Sequence, residues 1–380
     1  MNNNERLYVD LHVLQTMPPS CVNRDDTGSP KTAVYGGVTR ARVSSQAWKH
    51  AMRLRFKELY ADDEDFSRAY RTKNLIKMLE KEMCRIAPQL GQPEAKAIAV
   101  DVWFLLGIEE EPNTEKTKTL TFVSEKQIRN VAEWAVKKPK EEIAESVAKR
   151  KEKKSAPSDP LTKELEKLMI GSPSLDQILF GRMVASRAIL NYDAAAQVAH
   201  AISTHAVENE FDYFTAVDDC SPEDNAGAGH LGTVEFNSST LYRYATVNVA
   251  ALRGTLGDRT PEAVRAFAEA FIRSMPTGKQ NTFANRTRPD AVYVTVRRDQ
   301  PVALTGAFEK PIAAGDDGYV AASVRALADY AKETYADFVA APVLALGTGK
   351  GLETLEVQPC SVDALLDTLE SYLSGDEEQR

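Results

Sequence analysis

The chain begins with a regular alternation of apolar and polar positions. In residues 6–14, the apolar side chains Leu7, Val9, Leu11 and Val13 occupy every second position. A period of two is typical of a strand with one face in the core, because successive side chains point to opposite faces. We therefore predict a half-buried β-strand at the start of the chain.

A pattern of helical period follows a polar loop that contains the pair Gly36-Gly37. Ser44 or Ser45 is a good N-cap, and the predicted helix runs from there to about Tyr60. The apolar side of this helix consists of Trp48, Met52, Phe56 and Leu59. At about 100° per residue, Gln46, Lys49 and Arg53 share a neighbouring polar arc.

The rest of the chain divides into a helical region and further strands. Residues 61–175 are predicted to form helices joined by charged linkers, and residues 205–236 are acidic and then glycine-rich. The pattern of residues 174–184 fits either a helix or a strand, and we favour a strand there. Other strands are predicted at 240–249 and 291–298, and other helices at 72–90, 93–107, 125–137, from Thr260, 319–338 and 361–374.

The order of these elements indicates an α+β fold. Without the two insertions it is β, α, β, β, α, β, which is the order of split βαβ folds of the ferredoxin-like and RRM type. Such folds have an antiparallel sheet with helices on one face. We expect that arrangement here.

Composition excludes several classes of protein. Hydrophobic residues make up 43% of the chain and charged residues 27%, which is globular composition. No run approaches the roughly 18 apolar residues of a membrane span, and the start has no apolar signal-peptide core. The four cysteines are far apart, and the five histidines have no metal-site spacing. We expect a cytoplasmic protein without a membrane partner, metal or cofactor.

Charge is unevenly distributed along the chain. The net charge is −8, which alone argues against a nucleic-acid partner. Residues 20–57 nevertheless carry eight basic groups against two acidic ones, and residues 137–154 carry eight against four. Local charge density attracts phosphate, so the basic segments carry more information than the total.

The first basic segment predicts a phosphate-binding strip. Arg40 and Arg42 can project together from an extended segment, the Ser44 hydroxyl lies at a helix start, and Lys49 and Arg53 stack along one helical face. A glycine-opened basic loop at Lys279 is a further candidate. The alternative is a capped amphipathic helix with a solvated basic side.

Other motifs predict weaker sites. Phe214, Leu231 and Met183 can act as apolar wedges between bases, although apolar residues are more often buried in a core. Asp25-Asp26 and Asp218-Asp219 can hold a divalent metal, although adjacent acidic residues are more often a solvated turn.

Several ordered segments resemble one protein family. They are SCVNRDD (20–26), YGGVTRARVSSQAWKHAMR (35–53), GRM (181–183), AHAISTH (199–205), DYFTAVDD (212–219), HLGTVEF (230–236) and LYRYA (241–245). Together they resemble the CasC family, the backbone subunits of the type I-E CRISPR complex Cascade. The similarity extends over most of residues 5–310.

The resemblance implies a hand-like fold. It assigns an RRM-like palm to residues 1–60, 176–204 and 237–380, a helical finger domain to 61–175, and a β-hairpin thumb to 205–236. About six copies would stack head to tail along one guide RNA, with each thumb displacing one nucleotide in six. The implied partners are crRNA, target DNA, further copies of the chain, and the large, small and RNA-end-capping subunits.

The resemblance also implies residue roles. Contacts to the guide backbone would come from Arg24, Lys31, Arg42, Ser44, Gln46, Lys49 and Arg53. Met183, Phe214, Thr215 and Leu231 would surround the displaced nucleotide. Finger-domain lysines hold target DNA in that family, which makes Lys149, Arg150, Lys151, Lys153 and Lys154 candidates by charge.

Two alternatives to a non-catalytic RNA-binding subunit remain open at this point. One is a metal-dependent ribonuclease that uses Asp218, because related backbone subunits of type III complexes cleave RNA with a thumb aspartate. The other is a structural protein whose basic stretches face acidic partners.

Overall fold

A computed structural model describes residues 6–63, 66, 69–152, 159–216, 230–357 and 359–375. The chain divides into two compact units, Met1–Arg55 with Ala196–Arg380, and Phe56–Ala195. Strands and helices are both present in each unit, and the chain is of mixed α+β type.

Eleven strands are found in the described residues. They are β1 (Tyr8–Ser20), β2 (Thr32–Tyr35), β3 (Val38–Val43), β4 (Ala69–Thr72), β5 (Thr121–Ser124), β6 (Ala196–Val198), β7 (Ala201–Ser203), β8 (Glu210–Ala216), β9 (His230–Asn248), β10 (Ala291–Arg297) and β11 (Leu344–Thr348).

The first unit is built on one antiparallel sheet. Its strands lie in the order β11–β10–β1–β9–β7–β3–β2, and β6 and β8 also pair with β9. The register of β1 places Val13 opposite Arg243 of β9 and Val292 of β10. The expectation of an antiparallel sheet is confirmed.

Twelve helices are found in the described residues. They are α1 (Ser45–Leu59), α2 (Leu75–Ile86), α3 (Gln92–Leu105), α4 (Glu125–Lys137), α5 (Lys140–Glu152), α6 (Pro160–Ile170), α7 (Leu175–Phe180), α8 (Val249–Leu256), α9 (Thr260–Arg273), α10 (Gln280–Phe283), α11 (Val320–Asp337) and α12 (Val362–Ser374). The sequence patterns identified α1, α2, α3, α4, α9, α11 and α12 to within a few residues.

Both faces of the main sheet are covered. On one face, Trp48 of α1 and Phe271 of α9 pack around Arg243. On the other face, Leu14 and Tyr242 belong to a core cluster that includes residues of α11. The expectation of helices on one face is therefore wrong, and so is the half-buried character of β1. Its polar residues Asp10 and His12 are 0% and 1% exposed.

Three local predictions also need correction. The segment 174–184 contains the short helix α7 and no strand, because Ser174 and Gln177 form a reciprocal capping box. The loop around Gly36-Gly37 is a hairpin of β2 and β3. The second unit contains a two-stranded sheet of β4 and β5 beside its helices.

The second unit has its own apolar core. Side chains from α2, α3, α4, α5 and α6 form one buried cluster in which Trp103, Leu79 and Leu165 are fully buried. Its helices are capped as their sequences favour: Ser124 forms a capping box with Gln127, and the Asp159 carboxylate accepts from the backbone N–H of Thr162.

Candidate nucleic-acid interface

The start of α1 is fixed by side-chain caps. The Asn23 side-chain oxygen accepts from the backbone N–H of Ser44 at 2.8 Å, and the Ser44 hydroxyl oxygen accepts from the N–H of Ala47 at 3.3 Å. Ser44 is 5% exposed. It is therefore a helix cap, and the surface donor that we predicted there is not exposed. Gln46, at the start of the helix, is exposed.

Arg40 does not belong to an exposed strip. It is fully buried in β3, and burial lowers the pKa of its guanidinium. Its N–H groups donate at 2.8 to 3.2 Å to four backbone carbonyls, those of Tyr35, Ser203, Phe308 and Glu309. A phosphate cannot reach a group that is buried and saturated in this way, so the predicted RNA contact of Arg40 is wrong.

Arg42, two residues along the same strand, lies in a different environment. It is partly exposed, and its Nε donates to the carbonyl of Thr32 at 3.0 Å. Its backbone N–H donates to the carbonyl of Lys31 at 2.8 Å, so the two cations are neighbours. The structure thus brings Lys31 and Arg42 together at the β2–β3 side of the sheet.

His200 is a third member of this cluster that the sequence reasoning missed. It is exposed between β6 and β7, and its Nδ1 lies 3.1 Å from Nη1 of Arg42. Burial, Arg42 and Lys31 hold the pKa of His200 below its usual value. His200 follows Arg42 by 158 residues, so no local sequence pattern links the two. His200 does lie within the AHAISTH segment.

The polar arc of α1 is held outward by its apolar side. Lys49 and Arg53 are partly exposed, while Trp48 is fully buried under the guanidinium of Arg243, 3.7 Å from the ring centre. Arg243 also donates to the Gln15 side chain at 2.5 Å and to the Phe271 carbonyl. Burial lowers the pKa of Arg243 to about 9. This packing fixes the rotation of α1 about its axis.

The loop at Lys279 lies against the loop at Arg24. Gly278 approaches the carbonyl of Val22 so closely that a Cβ at position 278 would lie 2.0 Å from that oxygen. Burial raises the pKa of Cys21, and the charges of Arg24 and Lys279 both oppose that rise. Two predicted RNA contacts from distant parts of the sequence therefore act on one thiol.

The acidic pairs do not form a metal site in the described residues. Asp25 is exposed, and its carboxylate accepts from the hydroxyl and backbone N–H of Thr27 and from the N–H of Ser29, at 2.7 to 3.0 Å. These hydrogen bonds hold the pKa of Asp25 below its usual value. No group of His, Cys, Asp and Glu suited to a metal occurs in the described part of the chain. Asp218 and Asp219 lie outside it.

The hairpin of β8 and β9 separates the predicted wedge residues. Phe214 pairs with Gly232, and Thr215 pairs with Leu231. Successive residues of a strand point to opposite faces, so Phe214 and Thr215 lie on different faces. A Cβ at Gly232 would lie 2.3 Å from Cζ of Phe214, because the ring covers this glycine. Phe211 and Tyr213, which were not among the predicted wedge residues, are 67% and 64% exposed.

Met183 belongs to the second unit and is 82% exposed. The loop that presents it is fixed at its base: Arg182 and Tyr192 exchange backbone hydrogen bonds at 2.9 and 3.1 Å, and the N–H of Val184 donates to the Asn191 side chain at 2.6 Å. Met183 is thus an exposed apolar side chain on an ordered support.

The predicted DNA-binding residues have different surroundings. Lys149 is exposed and pairs with Glu145 at 2.7 Å. Arg150 is partly buried, and its guanidinium donates to the carbonyl of Leu105, so this arginine stabilises the unit. Lys151 is exposed above the ring of Phe104. Lys153 and Lys154 lie outside the described residues.

In the part of the chain that the structure describes, every helix is too short or too polar to cross a lipid bilayer.

Chains of two solved assemblies share the fold. The first, of a complex described as "CRISPR RNA-guided surveillance complex, pre-nicking", is 33% identical with a TM-score of 0.79, over 96% of this chain and 100% of that one. The second, described as "CRISPR RNA-guided surveillance complex", is 27% identical with a TM-score of 0.62, over 96% and 98%. The family model described as "CT1975-like protein" matches residues 9–371. No curated protein matches the chain by sequence.

Proposed function

The chain belongs to the CT1975-like protein family, and on that premise we propose that it is a non-catalytic backbone subunit of a type I-E CRISPR surveillance complex. In this role it binds the sugar-phosphate backbone of the guide RNA. The observation that carries the proposal is the gathering of Lys31 and Arg42 beside the start of α1, whose Lys49 and Arg53 face outward. The likeness to chains of CRISPR RNA-guided surveillance complexes supports it.

The proposed division into palm, finger and thumb is supported by the topology. Four strands of the main sheet lie side by side in the order β10–β1–β9–β7. In chain order these are the fourth, first, third and second of the four strands. A split βαβ fold has this strand order. The unit Phe56–Ala195 contains the predicted finger, residues 61–175, and would be the finger. It also includes residues 176–195, which the sequence prediction assigned to the palm. The β8–β9 hairpin would be the thumb.

Recognition of the backbone suits a subunit that must accept any guide. Phosphate contacts from lysine and arginine fix the position of a strand and carry no sequence information. Aromatic and apolar side chains can stack on any base. The exposed Met183 and the Phe214 ring have that chemistry, and Phe214 and Thr215 would act on opposite faces of the thumb.

The assembly follows from the same proposal. About six copies would polymerise head to tail along the crRNA, displace one nucleotide in six and present the others to target DNA. The large subunit, the small subunit and the RNA-end caps would complete a cytoplasmic complex. Head-to-tail contacts do not close on themselves, so the RNA and its end caps would limit the length of the filament.

A charge-reversal experiment tests the proposed RNA grip. We expect Lys49→Glu with Arg53→Glu to weaken binding of a 30-nucleotide uridine RNA by at least about tenfold, since both lost contacts are to phosphate. Lys77→Glu with Lys81→Glu is the matched control, because these exposed residues have the same i, i+4 spacing on α2. Equal losses in the two variants, or no binding of RNA by the unaltered chain, would contradict the proposal.

A separate assay tests the proposed lack of catalytic activity. The purified complex should leave a labelled RNA complementary to its guide intact in the presence of Mg²⁺. Cleavage that is lost in Asp218→Asn would replace the proposal with the ribonuclease alternative.

A further inference from the structure

The cluster of Lys31, Arg42 and His200 contains a hydrogen bond whose direction is fixed by chemistry. Arginine has five N–H donors and no acceptor. The contact of 3.1 Å between Nη1 of Arg42 and Nδ1 of His200 therefore requires an unprotonated Nδ1. The imidazole is neutral, and its proton lies on Nε2. His200 thus offers an N–H donor beside two cations on an exposed part of the surface.

The three side chains come from separate segments that pairing holds together. Arg42 of β3 is opposite Ile202 of β7, which places its side chain near the residue preceding β7. Lys31 precedes β2, and its carbonyl accepts from the backbone N–H of Arg42 at 2.8 Å. Lys31 and Arg42 already belong to the predicted phosphate-binding strip, and the fold places His200 beside them.

The charges around His200 are of one sign. Among the described residues, the charged groups that act on its ring are Arg42 from β3 and Lys31 from the segment before β2, and both are cations. Together with burial they hold the pKa of His200 below its usual value. Two cations and a neutral donor form a site suited to an anion, and a phosphodiester oxygen is the anion that the proposed guide RNA supplies.

We propose that His200 is a third phosphate-binding side chain of this cluster, donating from Nε2 to the guide backbone and taking up one solvent proton at Nδ1 when the strand binds. The inference rests on the proposed RNA-binding function. When the phosphate binds, the Arg42 N–H breaks its hydrogen bond to Nδ1 of His200 and donates to a phosphate oxygen instead. The lone pair of Nδ1 can then take up a proton from the buffer. The bound anion offsets the two cations, so the imidazolium is stable in the complex.

This coupling predicts the sign of a pH effect. The pKa of His200 is lowered in the free protein and rises when the phosphate binds, so the complex holds more protons than its separated parts. Binding must therefore tighten as the pH falls through the window between the two pKa values. One coupled proton changes the dissociation constant by up to about tenfold per pH unit.

The test uses the full chain and a 30-nucleotide uridine RNA at constant ionic strength, between about pH 5.5 and 8. We expect about three- to tenfold tighter binding at the acidic end, and a flat profile for His200→Gln, which keeps a neutral amide donor. His50→Gln, which removes an exposed histidine of α1, should retain the slope. Calorimetry of the unaltered chain in two buffers of different ionisation enthalpy should record proton uptake at about pH 6.5.

A His200→Gln profile as steep as that of the unaltered chain would overturn the inference, as would pH-independent binding without proton uptake. RNA binding would persist in both cases, and the proposed function would stand. Failure to bind RNA at every pH would instead remove the proposed function, and this inference with it.

Discussion

At the scale of the residue, two arginines of one strand face have opposite roles. Arg40 and Arg42 are both in β3, two positions apart, yet one is saturated by four carbonyls and the other contacts a surface histidine. Spacing placed them on the same face, and that part of the prediction was sound. Burial of Arg40 by residues 304–309 depends on a segment more than 260 positions away, which no local pattern reveals.

This pair makes a matched test. Arg40→Met should lower the free energy of unfolding by about 3 kcal/mol or more, because several buried carbonyls lose their donors. Its effect on the salt dependence of RNA binding should be small. Arg42→Met should do the reverse: little loss of stability, and a reduction of the salt slope by about 0.7. Urea unfolding and salt titration of both variants measure this, and identical behaviour would contradict the assignment.

Asp10 and His12 form a second residue-scale case. Both are buried on the same face of β1, where Asp10 accepts from the hydroxyl of Tyr244 at 3.0 Å and from the N–H of Val302 at 2.8 Å. Burial raises the pKa of Asp10 to about 6. Burial also lowers the pKa of His12 to about 3, with a further contribution from Arg297.

The two shifts act on stability in opposite directions. Between about pH 4 and 6, the folded state holds the Asp10 proton that the unfolded state releases, so this group loses stability as the pH rises. Over the same window the unfolded state binds a proton at His12 that the folded state does not, so this group gains stability as the pH rises. Each slope is up to about 1.4 kcal/mol per pH unit, and the two cancel.

Removal of either titrating group should make the pH dependence of the other measurable, because the two slopes no longer cancel. Asp10→Asn should lose stability relative to the unaltered chain as the pH falls from about 6 to 4.5, and His12→Gln should gain it. Urea unfolding at several pH values would measure both slopes. Parallel stability profiles for the two variants would show that these groups are not buried as described.

At the scale of the element, long patterns were predictable and short ones were not. The strands β1 and β10 and the helix α9 have strong periodicity, and their positions agree with the sequence interpretation. The helix α7 has only six residues. The sheet of β4 and β5 joins segments about 50 positions apart, and the approach of the Lys279 loop to the Arg24 loop is also nonlocal. Such features depend on tertiary contacts, which a single sequence does not display.

The β8–β9 hairpin allows a prediction about how Phe214 is held. Gly232→Ala would place a methyl group where the ring now lies. We expect it to reproduce the RNA-binding loss of Phe214→Ala, about 1–3 kcal/mol for one stacked base, and to add nothing in the double variant. Tyr213→Ala, on the opposite face, should add to Gly232→Ala independently. Full additivity of Gly232→Ala with Phe214→Ala in RNA titrations would contradict this arrangement.

At the scale of the whole molecule, total charge and local charge lead to different expectations about RNA binding. The chain has a net charge of −8, but the proposed strip retains six cations after Arg40 is removed from it: Arg24, Lys31, Arg42, Lys49, Arg53 and Lys279. For a single strand each contact contributes about 0.7 to the salt slope, so the logarithm of the binding constant should fall with a slope of about −4 per protomer. A slope near zero would mean that the acidic remainder dominates.

The length of β9 has a mechanical consequence. This strand continues for 19 residues from the hairpin to the centre of the sheet, where it lies beside β1. A force on the hairpin end of β9 is therefore transmitted along one continuous strand into the sheet. In the proposed function, this continuity should let the hairpin hold a displaced nucleotide against the stacking energy of the neighbouring bases.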